Sequence, residues 1–384
     1  MDKNYIELYS KDDKEGVNIK GQDVILLDAP EVRLSPDTPL LTNAQDVAGA
    51  INELFQLDPG GGDEWQPPDD WLPVPEPGAY EMYFLIALKS ADYLKYKIQI
   101  CRPSDLNTGN GQLTVDWGDG TVESWDSGWF YPEHTYSGIG MYLIKITATA
   151  ESCFLQNIGY YNYSISTTNQ LLLMAKLGAE ILLTNERTYA TQNGFASQYA
   201  LRYVSIGGKG GLPAGCFYNC YTLQTLKLQT PLTEVKNNTF NSCYKLAFVD
   251  ISKAATIGDG AFCYCRSLKK ANAPICTSVG SQGFYECISL KSVNVPLLTS
   301  IESECFYDCY SLSEADFPEA VSVGYAAFRR SGVMSARLPK CTTVENYGFA
   351  ACYGLDSASA VEVAEGCTFG SYCFNDTYIY PEII

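Results

Sequence analysis

Of 384 residues one is a histidine, His134, and only five are tryptophan and five methionine. A serine or cysteine nucleophile normally works beside a base, and the one imidazole lies far in sequence from every repeated cysteine. Basic residues are scarce as well: 26 Lys and Arg stand against 44 Asp and Glu, a formal net charge of -18. Repulsion from phosphate then opposes a nucleic-acid partner. No apolar stretch approaches the length of a membrane span, and the opening residues, Met1 to Lys14, carry no hydrophobic export segment. Membrane insertion is therefore not expected, and the chain is expected to be made in the cytoplasm without a signal peptide. The glycine-rich run Gly207-Gly208-Lys209-Gly210-Gly211 lacks the strand-loop-helix setting and the Lys-Ser/Thr order of a phosphate loop. The acids are scattered without a spacing that singles out a catalytic pair. No enzyme activity, cofactor or metal is expected from these residues.

What the chain has in quantity is aromatic residues, cysteine and a period. Phe195, Phe217, Phe240, Phe262, Phe284, Phe306, Phe328, Phe349 and Phe374 follow one another at separations of 22, 23, 22, 22, 22, 22, 21 and 25 residues, and such a period marks a solenoid. Cysteine stands three residues after the phenylalanine at Cys220, Cys243, Cys265, Cys287, Cys309 and Cys352. Leucine follows three further on, at Leu223, Leu246, Leu268, Leu290, Leu312 and Leu355. An alternating apolar pair comes next, as in Val293 and Val295 or Val249 and Ile251, and reads as a short strand. Pro274, Pro296, Pro318 and Pro339 end that strand in four copies, because proline has no N–H to give a ladder. A Thr-x-Val or Thr-x-Ile step, such as Thr277 with Val279 or Thr299 with Ile301, leads back to the next phenylalanine. One turn cannot bury both its phenylalanine and its strand side chains alone, so each relies on its neighbours.

The pattern small-Phe-x-x-Cys-x-Ser-Leu-x-x-Val-x-Val-Pro closely resembles the BspA-like class of leucine-rich repeat over about residues 195–375. The resemblance implies one short parallel strand per turn, stacked into a right-handed, gently curved coil. With strands about 4.8 Å apart, nine turns make a body roughly 40 Å long, a wall that offers little to enclose a substrate. The fifteen cysteines follow the same register: six share the position after the phenylalanine, and Cys216, Cys305 and Cys373 share the one just before it. A column of small buried thiols accounts for them. The spacings Cys216-x-x-x-Cys220 and Cys305-x-x-x-Cys309 also suit half of a zinc site, but the repeat explains both without metal.

Ahead of the repeats the fold class reads as mixed and mainly β. Residues 1–57 form an attachment and oligomerisation region, with a short apolar run Val24-Ile25-Leu26-Leu27 and a helix predicted over 43–55. Thr42 or Asn43 caps that helix, and Val47, Ile51, Leu54 and Phe55 share one face. The phrase from Asp46 to Phe55 resembles a segment common near the N-termini of tailed-phage fibres and decoration proteins. That resemblance implies contact with other virion proteins and a homo-oligomer, a trimer being favoured; an amphipathic helix capping the adjacent domain is the alternative. Residues 58–79 are a linker, glycine-rich and then proline-rich, with Trp65 and Trp71 placed to dock it on a neighbouring domain. Over 80–150, Val115-Asp116-Trp117-Gly118-Asp119-Gly120-Thr121, then His134-Thr135-Tyr136, then Gly140-Met141-Tyr142-Leu143-Ile144-Lys145-Ile146 resemble the PKD domain, an immunoglobulin-like β-sandwich. Asp119-Gly120 is a tight-turn signal, and Tyr142, Ile144 and Ile146 alternate inward as a sandwich strand requires. The resemblance makes His134 a structural turn residue. It also allows calcium at Asp116 and Asp119, against plain turn formation by the same side chains. Residues 151–194 read as an atypical first turn that caps the solenoid at 195–384.

Tyrosine carries the binding signal. The position between cysteine and leucine holds Tyr221, Tyr244, Arg266, Ile288, Tyr310, Gly332 and Tyr353, and Tyr218, Tyr285 and Tyr307 sit just after a phenylalanine. Pointing outward, Tyr218, Tyr221, Tyr244, Tyr285, Tyr307, Tyr310 and Tyr353 would make rows along the coil; pointing inward, they would fill half-buried turn positions. Flat aromatic faces bind sugars and protein partners at low side-chain entropy cost. These features together lead to a structural protein at the virion surface of a tailed phage, as head fibre, capsid decoration or tail fibre, whose repeats bind a host surface glycan or protein. A bacterial cell-surface adhesin is the alternative, and a glycan-degrading enzyme the third reading.

Overall fold

The computed structural model describes residues 67–91, 94–101, 113–125, 132–148, 153–157, 171–183, 194–208 and 210–378, together with two short strands nearer the start. The chain divides into two compact units, Met1–Glu64 and Trp65–Ile384. In the first, Asn18–Ile19 pairs antiparallel with Gln22–Asp23. The predicted helix over 43–55, with Val47, Ile51, Leu54 and Phe55, lies outside the described residues, as does Trp65.

The second unit is mainly β, and one seven-stranded sheet organises its first half. The strand order is Thr225–Leu228, Tyr203–Ile206, Leu172–Leu177, Glu81–Leu88, Gly140–Ala148, Leu113–Asp116 and Val122–Trp125. Glu81–Leu88 is buried along nearly its whole length because both of its faces are covered. Met82, Phe84, Ile86 and Leu88 pack with Ile144, Ile146, Tyr96, Ile98 and Tyr136 on one side. On the other, Leu85, Met174 and Tyr203 are roofed by Trp71 and Val74 of the proline-rich segment. Lys176 pins that segment, its Nζ 2.8 Å from the Val74 carbonyl and 2.6 Å from Glu76 Oε1, and the Arg202 guanidinium lies over the Trp71 ring at 5.7 Å.

Two short strands flank Ile98. Lys95–Lys97 pairs with Glu133–Thr135, and Gln99–Cys101 pairs with Cys153–Asn157. At the hairpin the aspartates serve the turn: Asp116 Oδ1 accepts from the Gly118 N–H at 3.0 Å and Asp119 Oδ1 from the Thr121 N–H at 3.0 Å. Asp119 Oδ2 shares a 2.7 Å hydrogen bond with His134 Nε2. Burial alone would raise the Asp119 carboxyl, but the hydrogen bonds from His134 and Thr121 outweigh it and hold it below its ordinary value. His134 in turn stacks on Trp117, with centroids 5.0 Å apart.

The sheet does not stop where the repeats begin. Leu172–Leu177 runs antiparallel to Glu81–Leu88 and parallel to Tyr203–Ile206, the first strand of the coil. The open end of the coil's strand column is thereby paired rather than exposed. Glycine makes the junction possible: a Cβ on Gly178 would collide with the carbonyls of Gly78 and Ala79, and one on Gly208 with the carbonyl of Ile181.

Past the junction most turns contribute two short parallel strands where the sequence pattern predicts one, but the expected strand at Val249 and Ile251 is absent, that stretch being irregular although both side chains are buried. One column runs through Lys270–Asn272, Ser292–Asn294, Glu314–Asp316, Ser335–Leu338 and Val361–Val363. The other runs through Thr256–Ile257, Ser278–Val279, Ser300–Ile301, Ser322–Val323, Thr343–Val344 and Thr368–Phe369. The second column coincides with the Thr-x-Val step, whose outer residues lie toward solvent while Ile257, Val279, Ile301, Val323 and Val344 are buried. Two residues are too few for alternation to announce a strand. Replacing Gly178 with Ala is expected to lower stability by about 1–3 kcal/mol, since the collision is with backbone that has no rotamer to yield; thermal unfolding followed by circular dichroism measures it, and an unchanged Tm would contradict the junction described.

Candidate functional site

The third side of the coil is the turn that carries the phenylalanine, and its backbone is unusual. From Phe217 to Phe374 the residues two before and two after each phenylalanine hold positive φ, all between 51° and 64°. Only Gly215 and Gly260 among them are glycine; the rest accept a left-handed cost of roughly 1–2 kcal/mol each. The conformation directs alternate N–H groups along the coil. Glu304, Phe306 and Asp308 donate to the carbonyls of Tyr325, Ala327 and Arg329 at 2.8, 2.7 and 3.0 Å, and the phenylalanine N–H makes such an axial bond from Phe195 through Phe349.

Inside the turn the rings and thiols form columns. Each phenylalanine from Phe195 to Phe374 stacks on the next with centroids 5.0–5.7 Å apart and planes within 17°. Every thiol in the position after the phenylalanine reaches back to the phenylalanine carbonyl of the turn before. Sγ of Cys220, Cys243, Cys265, Cys287, Cys309 and Cys352 lies 2.9–3.2 Å from the carbonyls of Phe195, Phe217, Phe240, Phe262, Phe284 and Phe328. Burial pushes these thiols up, Cys352 to about 12, so they stay protonated and act as donors. Ser331 occupies the same column where no cysteine stands and lies 3.3 Å from Cys352 Sγ.

The outer surface of this side carries the tyrosines, and it joins what the register had divided into two rows. Tyr199, Tyr221 and Tyr244 stack at 5.0 and 4.9 Å. Arg266 lies over Tyr244 at 5.3 Å and over Tyr264 at 5.8 Å, and Tyr264 meets Tyr285 edge-on at 5.5 Å. Tyr285 stacks on Tyr307 at 5.0 Å. Arg329 then lies 5.8 Å from the Tyr307 ring and 5.2 Å from that of Tyr347, which stacks on Tyr372 at 5.3 Å. The result is one diagonal ladder of tyrosines and two arginines that crosses every turn from Phe195 to Phe374.

Of the tyrosines singled out by the sequence, Tyr221, Tyr244, Tyr285 and Tyr307 are in the ladder. Tyr218 has no stacked ring partner among the described residues. Tyr310 is held apart, its hydroxyl accepting from Arg330 at 2.8 Å, and Tyr353 is 58% exposed. The row breaks between these last two at Gly332, where a Cβ would collide with the Tyr310 carbonyl. Tyr264, Tyr347 and Tyr372 were missed because they occupy other positions of the repeat, whereas Tyr199 and Arg329 stand at the two positions singled out but were not taken up, one lying in the first turn and the other not being a tyrosine. Three of them, Tyr264, Tyr347 and Tyr372, hold φ of 61°, 61° and 59°, a conformation in which bulky residues are rare.

Stacking settles what the ladder can offer. Both faces of Tyr221 are covered, by Tyr199 and Tyr244, and Tyr307 lies between Tyr285 and Arg329. Ring edges and hydroxyls are therefore what faces outward. The hydroxyls of Tyr221, Tyr285 and Tyr347 take no hydrogen bond within the described protein, yet none is a buried unpartnered atom; they open on solvent. Burial raises the Tyr221 and Tyr285 phenols further above neutrality, so they remain uncharged donors. Arg266 is closed by Glu286 at 2.7 Å. Arg330 lies 3.1 Å from Asp308, whose carboxyl burial pushes up to about 6. The contact is an ion pair in which Asp308 Oδ1 lacks an aligned hydrogen bond. An open depression of about 340 Å³ beside Tyr325, Val344, Asn346 and Phe369 has one carboxylate, Glu345, on its lining.

Because the thiol hydrogen bond is one of the links between turns, Cys265→Ala is expected to cost about 1–2 kcal/mol in denaturant unfolding and Cys265→Ser less, the hydroxyl taking over the donor's place as at Ser331. Equal losses for the two variants would show that the thiol only fills space.

Comparison with known proteins bears on the coil. The family model for the BspA type leucine rich repeat region matches in six copies, over residues 183–287 and 277–381. A crystal structure of a leucine-rich repeat protein from Bacteroides ovatus is similar at 17% identity, covering 56% of this chain and 78% of that one, with a TM-score of 0.33. A leucine rich cell surface protein from Faecalibacterium prausnitzii is similar at 19% identity over 56% of this chain and 73% of its own, with a TM-score of 0.36. No curated protein matches. With residues 183–381 matched and the phenylalanine, thiol and strand columns in register, this chain belongs to the BspA-type leucine-rich-repeat family.

Proposed function

We propose that the chain is a non-enzymatic recognition protein whose repeat coil adheres to a surface ligand through the tyrosine–arginine ladder. The observation that carries this reading is the backbone under the rings. Tyr264, Tyr347 and Tyr372 stand in left-handed conformations, Tyr347 and Tyr372 at the position that Gly215 and Gly260 fill in other turns, and bulky residues are rare in that conformation. Rings immobilised against one another lose little entropy when a ligand arrives. Against catalysis, His134 is committed to Asp119 and Trp117 in the first half of the unit, and the arginines of the ladder are bound up with tyrosines.

Where the protein acts is a finer proposal. The segment from Asp46 to Phe55 supports display on a tailed-phage particle, with residues 1–57 attaching the chain to other virion proteins as a trimer. Display on a bacterial surface is the alternative, and an adhesive coil suits either. Loss of the hydroxyls alone should weaken recognition while leaving the stack intact: the double variant Tyr221→Phe/Tyr285→Phe is expected to bind cells roughly tenfold more weakly, two hydrogen bonds being removed, with unfolding unchanged. Cell binding equal to that of the unmodified protein would refute the ladder as the recognition surface.

A further inference from the structure

We infer that the ligand of the ladder is a carboxylate-bearing polysaccharide strand laid across the turns, with Arg329 as its anion anchor. This rests on the recognition reading above and names its ligand. The Arg329 guanidinium is held between the Tyr307 and Tyr347 rings at 5.8 and 5.2 Å. Among the described residues no carboxylate pairs with it, whereas Arg266 on the same ladder is closed by Glu286 and neighbouring Arg330 by Asp308. In a chain of net charge -18, an arginine that makes no ion pair among the described residues, although its charge reaches the Asp308 carboxyl, and that is clamped on aromatic planes is a preorganised fork. Its planar donors match a carboxylate bidentately, and its side chain is already ordered before binding.

The rest of the ladder selects the polymer. Stacked rings follow one another at 4.9–5.3 Å along the coil, close to the length of one sugar unit in an extended chain. The solvent-facing hydroxyls of Tyr221, Tyr285 and Tyr347 recur at every third turn and offer donors along the path to a long ligand that carries hydroxyls throughout its length. Neutral sugars held by stacking on ring faces are disfavoured because those faces are occupied by neighbouring tyrosines. An acidic peptide would satisfy Arg329, but it presents few hydroxyls to the phenols of Tyr221, Tyr285 and Tyr347.

The test is affinity electrophoresis of the purified full chain in gels containing alginate, hyaluronan, dextran or polyglutamate. Retardation by alginate or hyaluronan but not by dextran is expected, the first pointing to a microbial source of uronate and the second to an animal one. Arg329→Gln should weaken uronate binding roughly tenfold, and Arg329→Lys should fall between, retaining charge without the fork. Thermal unfolding accompanies each variant; if Arg329→Gln unfolds early, the Lys variant decides, and its equality with the unmodified protein overturns the anchor. Equal retardation by dextran, stronger retardation by polyglutamate, no retardation by either uronate polymer, or an undiminished Gln variant overturns the inference. If uronate binding fails while Tyr221→Phe/Tyr285→Phe still weakens cell binding, the ligand class is wrong and the recognition surface stands; if neither responds, both fall.

Discussion

The coil depends on one constraint: a compact turn must send some of its peptide N–H groups along the axis to the next turn. Left-handed residues on either side of each phenylalanine do this, and the axial bonds from Phe195 to Phe349 are short and uniform. The conformational cost of those residues is of the same order as the net gain from a hydrogen bond. Backbone pairing alone therefore leaves little surplus. The surplus comes from the interior, where each ring buried between two others contributes about 1.5–3 kcal/mol by area, and where each thiol adds a donor to a carbonyl that a purely apolar side chain would leave with one partner fewer.

The same geometry shapes the exterior. Rings at matching outer positions of successive turns meet at nearly the strand spacing, so they stack and cover their faces. Hydroxyls, ring edges and guanidinium groups are left for contact with a partner. Continuity of the seven-stranded sheet from Val122–Trp125 to Thr225–Leu228 joins this wall to the preceding β-rich half through strand pairing rather than through a flexible connection. The wall's orientation on that half is thus set by hydrogen bonds.

The period, the phenylalanine and thiol columns and the family were legible in the sequence because each occupies one position of the repeat. The left-handed residues were not, since Glu304, Asp308 or Ala326 carry no sign of that conformation; tertiary hydrogen bonds impose it. The ladder was half legible. Reading one repeat position at a time found Tyr221 with Tyr244 and Tyr285 with Tyr307, but the path shifts position from turn to turn through Arg266, Tyr264 and Arg329. The junction was illegible for a different reason: Glu81–Leu88 and Leu172–Leu177 are far apart in sequence, and neither pattern names its partner.

Amide hydrogen exchange tests the axial ladder most directly, because these turns would be counted as loops by any strand-based reading. The account predicts that the amides of Phe240, Phe262, Phe284 and Phe306 exchange among the slowest in the chain and at closely similar rates, as members of one cooperative column. Exchange of those amides at the rate of exposed loop residues, with protection confined to the short strands, would contradict it.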